Sequence, residues 1–106
     1  MNLLRSALIF ALAAASCFRA FAESAKQRGA TAFVDNGCQH CHTIHGQGGT
    51  KGPDLSGVGR MLNKTQIRTQ ITQGGRQMPS FADILKASEI DDLVAYLHSR
   101  RDEKPK

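Results

Sequence analysis

The sequence has no tryptophan, and outside its first 22 residues it has no apolar run long enough to span a bilayer. It also lacks any stretch in which apolar and polar residues alternate convincingly at period two. The lack of a long apolar run rules out a permanent membrane span in the body of the chain, and the lack of alternation argues against a parallel sheet. There is no internal repeat, low-complexity tract or second domain. Strong charge of one sign is missing too: of 14 lysines and arginines, Arg5 and Arg19 lie at the front of the chain, leaving 12 against 9 acidic residues. No arginine-rich helix and no interleaving of aromatic with basic residues accompanies that mild excess, so it does not indicate nucleic-acid binding; it suits docking to an acidic protein. With 41% apolar and 22% charged residues the chain is not a disordered one.

The first 22 residues read as a leader. Met1 to Arg5 is a short positive region, Ser6 to Ala15 is apolar, and Ala20-Phe21-Ala22 places small residues where signal peptidase reads them. The expected organisation is a signal peptide over 1–22, cleavage before Glu23, and one domain over 23–106 in the periplasm. An alternative is lipidation: Ala14-Ala15-Ser16-Cys17 loosely resembles a lipobox, without the usual leucine three positions before the cysteine. Either route ends outside the cytoplasm. A domain near this size buries a limited apolar fraction, so a disulfide, metal or cofactor is expected to reinforce it.

What is present reads as helices separated by glycine-rich loops. Ser24 with Gln27 has capping-box form and Gly37 can end a helix, which gives a first helix over about 24–36. Residues 46–59 hold six glycines and one proline, a density that excludes a regular helix and implies a loop folded over something. Asn63 with Gln66 starts a second helix, with Leu62 and Ile67 placed for a hydrophobic staple, and Gly74-Gly75 stops it. In the last helix Ile90, Leu93, Val94 and Leu97 share a face; Ser88 with Asp91 is the expected cap, and Arg100 and Arg101 suit the C-terminal end. The fold class is therefore all-α, with three main helices and a short turn around Ser80 to Leu85.

Cys38-Gln39-His40-Cys41-His42 is a C-x-x-C-H sequence, the attachment signal for c-type haem. Two thiols at this separation can add to the two vinyl groups of one porphyrin, and the histidine directly after the second is then held under the ring to ligate iron. Zinc is the main alternative, with Cys38, Cys41, His42 and His45 as ligands, but adjacent Cys41 and His42 are awkward for a tetrahedral site. A thiol-disulfide enzyme would need a βαβ context.

Taken with Gly29 and Phe33 before the motif, Gly52-Pro53 after it, Met78-Pro79 further on and Tyr96 on the last helix, the chain resembles the class I cytochrome c family over nearly all of its mature length. The resemblance implies a cytochrome c-like fold wrapped around one haem c bound through Cys38 and Cys41. His42 would be the proximal ligand and Met78 the distal one, with the Pro53 carbonyl accepting the ring N–H of His42. Gly29, Phe33, Leu93 and Tyr96 would form the crossing of the first and last helices. Among the remaining candidates, His45 and His98 are surface residues rather than a second ligand, and Met61 is packing. Arg60 could bind a haem propionate, and Lys51, Arg60, Lys64, Arg68, Arg76 and Lys86 could partly ring the haem edge.

The implied function is that of a non-enzymatic periplasmic carrier shuttling single electrons between redox proteins. Alternatives are a fixed haem-c subunit of a dehydrogenase or oxidase complex, or a haem sensor or peroxidase, which would need an open sixth position.

Overall fold

The computed structural model describes residues 23–103, so the leader over 1–22 and Cys17 lie outside the described residues. The order of elements is α1 (Ala25–Asp35), a single 3-10 turn over Cys38–His40, β1 (Thr43–Ile44), β2 (Gln47–Gly48), α2 (Val58–Met61), α3 (Lys64–Gln73) and α4 (Ala87–His98). The all-α expectation holds, with two additions. A two-residue antiparallel ribbon pairs Thr43 with Gly48 and Ile44 with Gln47, and the one-turn α2 occupies the end of the glycine-rich loop. Neither was legible as a pattern, because elements of two and four residues are too short to carry a period.

Two helix starts follow the sequence directly. Ser24 Oγ accepts from the Gln27 N–H while Gln27 Oε1 accepts from the Ser24 N–H, and Asn63 and Gln66 repeat the arrangement at α3. The start of α4 is a correction. The helix begins at Ala87 with Lys86 as its extended N-cap, and Glu89 Oε1 lies 3.4 Å from the Lys86 N–H. Leu85 and Ile90 flank that cap and are both buried, at the two positions of a hydrophobic staple. Their burial sets the start two residues earlier than Ser88. Asp91, freed from capping, pairs with Arg68 of α3 at 2.7 Å.

The core is a single cluster built from Ala32 and Phe33 of α1, Ile44, Val58, Ile67 and Ile71 of α3, Leu85, and the Ile90, Leu93, Val94 and Leu97 face of α4. Among the described residues no polar or charged side chain is buried. α1 and α4 cross at Gly29. A methyl group on Gly29 would overlap the Asp92 carbonyl oxygen and Tyr96 Cβ, so the crossing requires glycine. Phe33 meets Tyr96 edge-on at 5.9 Å, and Leu93 is 1% exposed beneath them. Arg28 reaches across to Asp92 with two nitrogen–oxygen contacts, at 3.0 and 3.3 Å. Arg100 lies beyond the helix, its guanidinium 4.9 Å from the Tyr96 ring centre, while Arg101 donates to the Gly59 carbonyl.

Candidate functional site

The 3-10 turn fixes the C-x-x-C-H segment. Gly37 is left-handed at φ 73°, and the Cys41 and His42 N–H groups both donate to the Cys38 carbonyl, at 3.3 and 3.0 Å. The glycine-rich loop folds back over this segment: Gly49 N–H donates to the Gln39 carbonyl at 2.8 Å, and Gly52 N–H to that of Cys41 at 2.7 Å. The loop expected to cover something covers the backbone of the motif itself.

His42 is held from two sides. Its Nδ1 lies 2.7 Å from the Pro53 carbonyl oxygen, which selects the tautomer carrying the proton on Nδ1 and leaves Nε2 as a free lone pair. A Cβ on Gly52 would fall 2.6 to 3.1 Å from the imidazole, so the ring packs flat against a residue that has none. The family resemblance implied the Pro53 contact with His42; the structure adds Gly52 as its wall.

Met78 sits on a strap made by a tight turn. Gly75 and Met78 exchange both backbone hydrogen bonds, at 2.9 and 3.0 Å, with Arg76 left-handed at φ 50° between them. Such a backbone is strained for a residue with a side chain. Pro79 follows, and Phe81 N–H returns to the Ile71 carbonyl at 3.1 Å, anchoring the far end of the strap to α3. Gln70 escaped the sequence reading. Its Nε2 donates to the Gly74 carbonyl at 3.2 Å and lies 3.7 Å from Met78 Sδ, within hydrogen-bond reach of a sulfur. The available signal was its place one helical turn before the Gly74-Gly75 stop.

Cys38 and Met78 line one apolar crevice with Phe33, Ile71, Phe81, Leu85, Leu93 and Leu97. Cys38 and Cys41 are not joined in a disulfide. Burial pushes the Cys38 thiol above its ordinary range, partly offset by a hydrogen bond from its own backbone and reinforced by Cys41. That is opposite to the lowered pKa of a redox-enzyme thiolate. Of the predicted site residues only Cys38 and Met78 line the crevice; Cys41, His42 and Pro53 do not, nor do His45 and His98, and among the described residues no group of three or more His, Cys, Asp or Glu side chains could hold a metal ion. The zinc set is thus not assembled: His45 points instead to Asp102, its Nδ1 at 2.7 Å. Arg60, considered for a propionate, pairs with Glu103 at 3.3 Å.

Residues 24–97 match the family described as cytochrome c oxidase, cbb3-type, subunit III. The chain belongs to this family of c-type cytochromes. A cytochrome c6 of Nostoc is 34% identical over 79 residues, spanning 70% of this chain and 69% of that protein. A cytochrome c-550 of Bacillus subtilis is 35% identical over 60 residues, 55% of this chain and 48% of the relative, so this match spans about half of the Bacillus protein. The fold is that of two solved structures, each 24% identical in sequence, the second of them described as a c-type cytochrome. SoxXA of P. pantotrophus superposes with a TM-score of 0.66 over 77% of this chain and 85% of the matched one. SorU of Sinorhizobium meliloti does so with 0.62 over 73% and 91%.

The cofactor of this family of cytochromes is covalently bound haem c, and the site fits it. The two cysteines, the uncommitted His42 Nε2 and a thioether on a separate strap are the donor set such a group needs, and Cys38 and Met78 share a crevice otherwise lined by apolar side chains.

Proposed function

We infer that this cytochrome is a one-electron carrier working outside the cytoplasm, with haem c attached through Cys38 and Cys41 and ligated by His42 and Met78. The observation that carries this reading is the division of labour in the site: the Pro53 bond leaves only Nε2 of His42 to donate, while Met78 reaches the crevice from a different part of the chain. Haem c, when bound, supplies an iron centre that accepts and releases one electron. The protein's part is to hold still and exclude water. Pro53 and Gly52 fix the His42 ring, and the Gly75–Met78 turn with Gln70 fixes the sulfur. Phe33, Ile71, Phe81, Leu85, Leu93 and Leu97 keep the pocket apolar. Were His42 and Met78 both to ligate the haem iron, neither oxygen nor peroxide would find a vacant place to bind, which favours a carrier over a sensor or peroxidase.

Redox proteins are the partners of such a carrier, and the mildly basic body suits an acidic docking face. Export fits a leader over 1–22 cleaved before Glu23, and no helix among the described residues is long and apolar enough to cross a membrane. A second reading, a fixed subunit of a larger redox complex, is favoured by the family description, which names an oxidase subunit. Copurification of partner chains from detergent-solubilised membranes separates this from a freely diffusing carrier.

Intact mass after acid–acetone extraction should exceed that of the polypeptide by one haem; the mass of apoprotein, or zinc at one equivalent, would overturn the reading. Met78→Ala should leave a folded haem protein that binds carbon monoxide when ferrous. Its potential should fall by on the order of 100 mV, a small share of the ~0.8 V that axial ligation spans. His42→Ala should accumulate little mature holoprotein. Ready carbon monoxide binding by the wild type would show that Met78 is not the ligand.

A further inference from the structure

We propose that His45 and Asp102 are positioning residues for the proximal ligand: they clamp the loop that carries Pro53, and so hold its carbonyl on His42. The proposal rests on His42 being the axial histidine, as inferred above. Its own basis is a closed ring of contacts outside the haem crevice. Pro53, which accepts from His42, is followed by Asp54, whose Oδ1 accepts from both the N–H and the hydroxyl of Ser56, at 2.9 and 2.7 Å. Ser56 Oγ accepts from the His45 N–H at 2.9 Å, and the Ser56 carbonyl accepts from the Asp102 N–H at 3.1 Å. The ring closes where His45 Nδ1 meets Asp102 Oδ2 at 2.7 Å. Residues 99–103 are further fastened at Gly59, which donates to the Arg100 carbonyl and accepts from Arg101, both at 2.8 Å.

Two features distinguish this from ordinary surface polarity. His45 is left-handed at φ 51°, a backbone state that glycine would adopt more readily, and the next residue, Gly46, is left-handed as well. The turn gains nothing from a side chain at 45; what histidine adds is a ring that reaches Asp102. The hydrogen bonds of Ser56 also hold the Asp54 carboxyl below the usual carboxylate range, with a smaller contribution from His45. The charged groups around the imidazole are Asp54 from the Pro53 loop and Asp102 from the outer segment, where Arg101 and the Arg60–Glu103 pair are occupied on the α2 side.

Because His45 and Asp102 are each about half exposed, their pairing contributes little to global stability. Its effect is local: it keeps Ser56 in place, and Ser56 keeps the Pro53–Asp54 corner in place. A loosened corner lengthens the His42–Pro53 bond, which exposes the ring N–H to exchange and makes the imidazole a poorer electron donor to the metal, raising the potential.

The test compares holoprotein variants by NMR of the ferrous form, following hydrogen exchange of the His42 Nδ1–H, together with the reduction potential. Asp102→Ala and His45→Asn, the latter tolerant of the left-handed backbone, should each speed exchange by about tenfold, as expected when a local opening loses a hydrogen bond or two. Both should raise the potential, and combining them should add little. Asp102→Asn keeps an acceptor for the imidazole and should behave as wild type. Glu103→Gln, which disturbs only the pairing with Arg60, should change neither readout. Unchanged exchange and potential in both Asp102→Ala and His45→Asn would overturn the proposal, as would a Glu103→Gln effect of the same size. A wild-type holoprotein whose exchangeable ring proton does not belong to an iron-bound His42 would instead overturn the ligand assignment beneath it. If Asp102→Ala yields no holoprotein, the contrast of His45→Asn with Asp102→Asn decides alone.

Discussion

Gln70 illustrates how a single side chain sets the chemistry of another. A methionine sulfur that ligates a metal through one lone pair retains a second, and the Gln70 amide is placed to donate to it while also holding the Gly74 carbonyl. Electron density drawn from sulfur makes it a weaker donor to the oxidised metal, so the bond favours the reduced state. Gln70→Leu, similar in size and without the donor, should lower the reduction potential. One hydrogen bond of roughly 1 kcal/mol corresponds to about 40 mV in a one-electron couple. Redox titration measures this, and an unchanged potential would mean the amide serves only the Gly74 carbonyl. His42 could be named from the sequence because neighbouring cysteines mark it, and Met78 because glycines and a proline flank it, whereas the part given to Pro53 came from the family resemblance. Gln70, and the His45–Asp102 contact, could not: their partners are brought together by the fold, with nothing adjacent in sequence to signal it.

At the scale of elements, the same contrast separates caps from crossings. The Ser24–Gln27 and Asn63–Gln66 boxes are local, so the starts of α1 and α3 were readable to the residue. The start of α4 was misread because Ser88 and Asp91 satisfy the local rule, while the burial of Leu85 and Ile90, a tertiary fact, decides the outcome. The α1–α4 crossing was foreseen only through family resemblance, and its geometry gives a prediction. Alanine within a helix ordinarily gains about 1 kcal/mol over glycine from propensity. At Gly29 the added methyl has no room between the Asp92 carbonyl and Tyr96, and separating the helices disturbs Phe33 and Leu93 as well. Gly29→Ala should therefore be destabilising by about 1–3 kcal/mol net, a fall in Tm of roughly 5–20 °C for a domain of this size. Thermal unfolding followed by circular dichroism reads it; an unchanged or raised Tm would show that the crossing adapts.

For the whole molecule, the crevice and the core are one object: Phe33, Ile71, Leu85, Leu93 and Leu97 belong to both. A haem placed there contributes the interior that so short a chain cannot build alone, and the sequence already implied such a need from length. Replacing Cys38 and Cys41 together by serine should give apoprotein with little helical signal in the far ultraviolet at 25 °C, whereas wild-type holoprotein shows the spectrum of a helical protein. A double variant that folds normally without haem would show that the polypeptide core suffices.

The seating of α4 on α1 also has a consequence in time. The two helices that close the domain lie on opposite sides of the C-x-x-C-H segment in the chain, so their contact cannot form until everything between them has been synthesised. Throughout that interval Cys38, Cys41 and His42 sit on an open strand of polypeptide, accessible to whatever joins haem to thiols. Only when Leu93 and Tyr96 dock against Gly29 and Phe33 does the crevice acquire its back wall. The long-range crossing thus acts as a delay, keeping the attachment site reachable until the last helix arrives to shut it.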